Sequence, residues 1–168
     1  MKRRFSLFPI AFVAIGGLLT VSTIAQPKSE LRSEPTQTQL QKAFPDTSST
    51  IFEKGQQMSL FWIDPPVSSQ GTKTFHGCHV RRERIITDPK LKVELRAAIN
   101  AAIANNTGNA AKCFNPHHGL RVSQGNQSVD LVICFGCSRL VVYSGQKSSS
   151  STITPSQSTE ILLNRLLQ

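Results

Sequence analysis

Three of the four cysteines and two of the four histidines lie within 25 residues. They occur in the run Cys113-Phe-Asn-Pro-His117-His118-Gly and the later run Cys134-Phe-Gly-Cys137. Cys and His at such spacing can do three kinds of chemistry. One is a disulfide framework: four cysteines allow three connectivities, and a Cys78 bridge to the cluster, or a bridge from Cys113 to Cys134 or Cys137, would staple a modest core. Another is a tetrahedral zinc site made of Cys113, His117 or His118, Cys134 and Cys137, with Gly136 allowing a tight knuckle. The third is thiol chemistry at the Cys-x-x-Cys pair or at a Cys113/His117 dyad. Redox pairs of this kind usually open a helix that lowers the first thiol's pKa, whereas Cys134 ends one predicted strand and Cys137 precedes another. The disulfide reading leads and thiol chemistry comes last.

The flanking elements decide whether these residues meet. Leu120 and Val122, then Val129, Leu131 and Ile133, alternate with polar residues, and Gly125-Asn126 between them tolerates positive φ. A two-residue turn there pairs Val122 with Val129, Leu120 with Leu131, and Arg121 with Asp130 as a cross-strand ion pair. Continued along the same ladder, His117 falls opposite Cys134, so the hairpin gathers the cluster at one end of a sheet.

Other elements follow from pattern. Met58–Asp64 reads as a strand ended by Pro65-Pro66, and Ser68, Ser69 and Gly71 mark a loop. Residues 72–86 read as one strand or two short ones. Asp88 and Pro89 open a helix carrying Leu91, Leu95, Ile99, Ala102 and Ile103 at helical spacing, with Gly108 beyond its end. Arg139–Tyr143 is a further strand, a polar strand near Ser150–Ile153 closes the edge, and Ser158 or Thr159 caps a last helix over 160–167. The predicted class is α+β: a small antiparallel sheet with one long helix and a short C-terminal helix packed on it.

The N-terminus sets the compartment. Lys2, Arg3 and Arg4 precede an uncharged apolar run ending at Thr23-Ile24-Ala25, the layout of a secretory signal peptide over residues 1–25 or, if uncleaved, of a membrane anchor. Residues 26–50 are polar and poor in large apolar groups, which predicts a flexible tether before a single domain over 51–168. Without its first 25 residues the chain keeps 16 of its 19 basic residues against 10 acidic ones, a charge of +6. The basic residues are scattered and not interleaved with aromatics, so no nucleic-acid partner is expected, and membrane contact is expected only through an uncleaved N-terminal segment. The expected location is extracytoplasmic, periplasmic or secreted. His76 and His79, flanking Cys78, read as surface or strand-end histidines; Phe61, Trp62 and Phe75 read as core. No paired carboxylates, phosphate loop or nucleophile elbow appears, and no catalytic residue is assigned.

With Cys-Phe-Asn-Pro-His-His-Gly-Leu-Arg followed by Val-Asp-Leu-Val-Ile-Cys-Phe-Gly-Cys, and Phe75-His76-Gly77 upstream, the chain resembles a group of bacterial exported proteins of uncharacterised function. The resemblance spans Phe61 to Tyr143. His117 stands where the group has arginine, and Cys78 where it has an aromatic residue. The resemblance therefore implies a shared set of Cys113, His118, Cys134 and Cys137, leaves Cys78 outside it, and draws the zinc reading towards the disulfide one. The expectation is an exported protein with a structural (disulfide) or zinc-binding Cys/His cluster. The alternative is a thiol-disulfide oxidoreductase or redox sensor using the Cys134–Cys137 pair.

Overall fold

The computed structural model describes residues 34–65 and 73–168. The predicted export segment 1–25, the start of the predicted tether and the loop with Ser68, Ser69 and Gly71 lie outside them. Among the described residues no helix is long and apolar enough to cross a membrane. In chain order the elements are α1 (Gln37–Ala43), α2 (Ser48–Lys54), β1 (Gln57–Asp64), β2 (Thr74–Phe75), β3 (Cys78–Ile85), α3 (Pro89–Ala104), β4 (His118–Gln124), β5 (Gln127–Cys134), β6 (Arg139–Ser144), β7 (Lys147–Thr152) and α4 (Gln157–Leu167). The strands form one antiparallel sheet in the order β2-β3-β1-β4-β5-β6-β7. This is the α+β class expected, with the long helix α3 and the C-terminal helix α4.

One face of the sheet carries the main core. Leu60, Leu120, Leu131, Ile133 and Leu140 meet Leu95 and Ile99 of α3 and Leu163 of α4, all buried. The Asp88 carboxylate caps α3 by accepting the Lys90 N–H at 2.8 Å. At the other end Gly108 takes φ 79°, and its N–H reaches Asn106 Oδ1 at 2.7 Å. Helix α4 begins three residues earlier than residue 160. Its cap is Ser156, whose hydroxyl accepts the Thr159 N–H at 3.3 Å. Its last carbonyls, which lack intrahelical donors, are taken by two arginines of β3: Arg84 reaches the Leu166 oxygen at 2.8 Å and Arg82 the Leu167 oxygen at 2.7 Å.

The tether expected through residue 50 is corrected from residue 36 onward. Thr36 and Gln39 form a capping box at the start of α1, each side chain accepting the other's backbone N–H. Ala43, Phe44, Ile51 and Phe52 are buried, with the Phe44 and Phe52 rings 5.0 Å apart. The segment is polar on average, but its few apolar residues fall on the sides of two short helices that face the sheet. Packing there offsets the ordering entropy that composition alone left unmatched.

The opposite face holds a second, smaller core of Phe61, Ile63, Phe75, Cys78 and Val132. At about 4.8 Å per strand, β2 and β5 would lie roughly 19 Å apart in a flat sheet. Yet His76, in the turn after β2, reaches Asp130 of β5 at 2.8 Å, and its ring stacks on Tyr143 of β6 at 3.8 Å. The sheet is therefore curled, and the β2–β3 turn closes over its second face.

Candidate functional site

The β4–β5 hairpin has the register the turn predicts. Gln124 pairs with Gln127 around Gly125-Asn126, with Gly125 at φ 57°, and Val122, Arg121 and Leu120 face Val129, Asp130 and Leu131. Arg121 grips Asp130 with two bonds, at 2.7 and 2.6 Å. The ladder ends at His118 opposite Ile133, one residue short of the expected His117–Cys134 pairing. The His117 carbonyl instead turns to β1 and accepts the Ile63 N–H at 3.0 Å.

Beyond Cys134 the chain makes a tight turn. Ser138 takes φ 51°, and its N–H bonds the Phe135 carbonyl at 3.1 Å. This turn brings Cys137 back to Cys134, and the two are disulfide-bonded with Cα atoms 5.2 Å apart. Backbone donors meet both sulfurs: the Cys137 N–H points to Cys134 Sγ at 3.1 Å, and the Asn115 N–H to Cys137 Sγ at 3.3 Å. Cys113 is a free, exposed thiol with its Sγ 3.8 Å from Cys137 Sγ. Three sulfurs thus meet at the end of β5, as the sequence predicts, but the bond formed lies inside the Cys-x-x-Cys pair. The expected bridges from Cys113 or Cys78 are corrected accordingly. Cys78 is unbridged and lies in the second core, where burial pushes its thiol pKa up.

The histidine preferred for this cluster, His118, is not part of it. Side chains alternate along a strand, so His118 shares the main-core face with Leu120 and Val122, whereas Cys134 shares the opposite face with Val132 and Asp130. His118 is buried, with Phe135 edge-on at 5.1 Å and Trp62 at 6.3 Å. Its Nε2 lies 2.8 Å from Asn164 Oδ1, which assigns the ring proton to Nε2 and leaves Nδ1 as a buried acceptor without a partner. Burial lowers the His118 pKa; the bond to Asn164 opposes that shift, and nearby His117 adds a little to it. His117 is exposed, with Nε2 3.3 Å from Asn115 Nδ2.

The zinc expectation finds no support on the same ground. Two of its sulfurs are bonded to each other and one of its histidines faces the other side of the sheet. Among the described residues, no group of three or more His, Cys, Asp and Glu side chains is arranged to hold a metal ion.

His76 is the residue the sequence reading missed. It is exposed at a strand end, as expected, but its ring also bonds Asp130, which thereby bridges His76 and Arg121. His76 at φ 49° and Gly77 at φ 79° form a two-residue hairpin turn with both φ positive. That turn ordinarily carries Asn-Gly, and His-Gly between two strand-forming segments is the signal that could have located it. A cleft of about 570 Å³ lies elsewhere, by Trp62, Asp64, Arg81, Arg82 and the chain end. Its charges are already engaged, Arg81 with Asp64 and Arg82 with the Leu167 and Gln168 carbonyls.

No protein-family model, curated protein or solved structure matches the chain.

Proposed function

We propose that the protein is an extracytoplasmic thiol-disulfide exchange module, a redox sensor or oxidoreductase, with Cys134–Cys137 as its working bond. The observation that carries this reading is the backbone N–H aimed at each sulfur, from Cys137 to Cys134 Sγ and from Asn115 to Cys137 Sγ. Donors to sulfur favour thiolate over thiol and so favour the charge that forms when the bond opens. They stand in for the helix N-terminus that the pair lacks, against the burial that disfavours charge. The export signal supports a compartment in which such a bond persists.

A purely structural role is poorly served by this bridge. It closes a loop of sequence separation 3. The chain-entropy contribution of so short a loop is about 2 kcal/mol, against about 3 kcal/mol for a fifteen-residue loop. The β5–β6 hairpin that it spans is already joined by its own ladder, with Cys134 opposite Arg139.

The test is equilibration of the folded protein in reduced and oxidised glutathione, followed by alkylation and intact mass. The expected result is reversible gain of two thiols, with a midpoint above about −300 mV. Structural disulfides of exported proteins fall below that value. A pair that stays oxidised down to that potential would return the cluster to the structural reading.

A further inference from the structure

The disulfide that this reading makes redox-active is hidden from any solute: Cys134 and Cys137 are each 2 % exposed. Cys113 is the exposed sulfur of the three, and its position is fixed from both sides. Two residues before it, the Ala111 N–H donates to the Cys137 carbonyl at 3.1 Å. Two residues after it, the Asn115 N–H donates to Cys137 Sγ at 3.3 Å. Arg139 adds a bond to the Ala111 carbonyl at 3.2 Å. The loop is thus pinned so that Cys113 Sγ rests 3.8 Å from Cys137 Sγ.

We infer that Cys113 is the relay thiol of the site: it exchanges with the buried bond internally and with low-molecular-mass thiols externally. This inference rests on the redox reading above. In the internal step Cys113 loses its proton to water and its thiolate attacks Cys137 Sγ. The Cys113–Cys137 bond forms, the Cys134–Cys137 bond breaks, and the electron pair leaves on Cys134. The Cys137 N–H already directed at Cys134 Sγ supports that leaving thiolate, which then takes up a proton. No electron enters or leaves the protein in this step.

In the external steps an incoming thiolate, of the glutathione class, attacks the exposed Cys113 sulfur. A mixed disulfide forms on Cys113 and Cys137 leaves as thiolate. A second small thiolate then attacks the sulfur of the small thiol in that mixed disulfide, forms the external disulfide and frees Cys113. Two external thiols are oxidised to one disulfide, and the protein's bond is reduced to two thiols. Run backwards, the same steps oxidise the pair. Thiolate attack proceeds through a mixed disulfide and depends on access, which Cys113 provides and the buried pair does not.

The experiment compares the wild-type protein with Cys113→Ser and Cys134→Ser. Reduced glutathione is the probe, with acid quenching, alkylation and peptide mapping. Cys113→Ser is expected to be reduced at least tenfold more slowly than wild type, with an unchanged equilibrium midpoint. Cys134→Ser, air-oxidised, is expected to carry a Cys113–Cys137 linked peptide. Equal reduction rates in wild type and Cys113→Ser, or free Cys113 and Cys137 thiols in oxidised Cys134→Ser, would overturn the relay while leaving a reversible midpoint intact. A pair that glutathione reduces in neither protein while the fold persists would overturn the redox reading and the relay with it.

Discussion

His117 and His118 are consecutive residues on opposite sides of one sheet. His118 lies inside, 2.8 Å from Asn164 of α4 and edge-on to Phe135, whereas His117 is exposed beside Asn115. They cannot substitute for one another. The first is a packing residue of the main core; the second belongs to the loop that carries Cys113.

That placement makes His118 a pH-dependent element of stability. Its folded pKa lies below the ordinary value near 6.5, so in the window beneath that value the unfolded chain holds more protons than the folded one. Stability is full above pH ~6.5 and falls as the pH drops towards the lower folded pKa. Urea unfolding at a series of pH values should show this decline between pH 7.5 and 5. His118→Asn should flatten it while lowering stability throughout. An unchanged slope in that variant would assign the acid sensitivity to another group.

Asp130 should matter more than either of its partners. Its side chain is buried and serves both Arg121 and His76, but Arg121 is nearly half exposed, so solvent screens that pair. We expect Arg121→Ala to cost about 1 kcal/mol and Asp130→Ala about 2 kcal/mol, because the latter also strands His76. A double-mutant cycle with chemical denaturation measures the coupling. Additive losses would mean that the two bonds contribute no net stability.

The second core is intolerant at Gly119. A Cβ placed there would lie 2.7–2.8 Å from the Phe75 ring, which is itself stacked on Phe61 at 4.5 Å. Gly119→Ala should cost roughly 1–3 kcal/mol by overpacking. Paired with Phe75→Leu it should recover part of that loss. Thermal melts of the three variants read the effect directly, and a neutral Gly119→Ala would show that the β2–β3 turn yields freely.

The turn that holds Phe75 in place depends on left-handed backbone at His76 and Gly77. His76→Asn keeps a residue that tolerates this conformation and loses only the side-chain contacts. His76→Val adds a steric penalty of about 1–2 kcal/mol. Calorimetry should therefore rank His76→Asn above His76→Val in stability. The reverse order would deny the turn its role.

Export predicts a mature protein whose first residue is Gln26. N-terminal sequencing of protein recovered outside the cytoplasm checks this. A chain still beginning at Met1 and pelleting with membranes would favour the anchor instead.

The hairpin between β4 and β5 could be read residue by residue because turn chemistry and period-two alternation agree at Gly125-Asn126. Helix α3 was equally plain, since Asp88-Pro89 marks its start and Leu95, Ile99 and Ile103 its buried side. The same alternation already places residues 117 and 118 on opposite faces, so the exclusion of His118 from the sulfur cluster was present in the pattern. What no local pattern carried was long-range. The curl that brings His76 to Asp130 depends on strands far apart in the sheet. The burial of Ala43 and Phe44 depends on β6 and β7: Ser149 and Ser151 of β7 bond the Ala43 and Lys42 carbonyls. At the cluster itself, proximity of three sulfurs was legible, but which two bond was not. That choice turns on the left-handed Ser138 and the return of the chain after Gly136.

Strand β1 is the first strand of the sheet in sequence, yet it is hydrogen-bonded on both sides by later segments, β3 on one edge and β4 on the other. During synthesis it emerges with two open edges and an apolar face, and its second partner is absent until residue 124 has been made. Such contacts, distant along the chain, carry the largest loop-closure cost and form last. The sheet cannot close around β1 until β4, through Gln124, has been made, and until then one edge of an apolar strand stays open to wrong pairing.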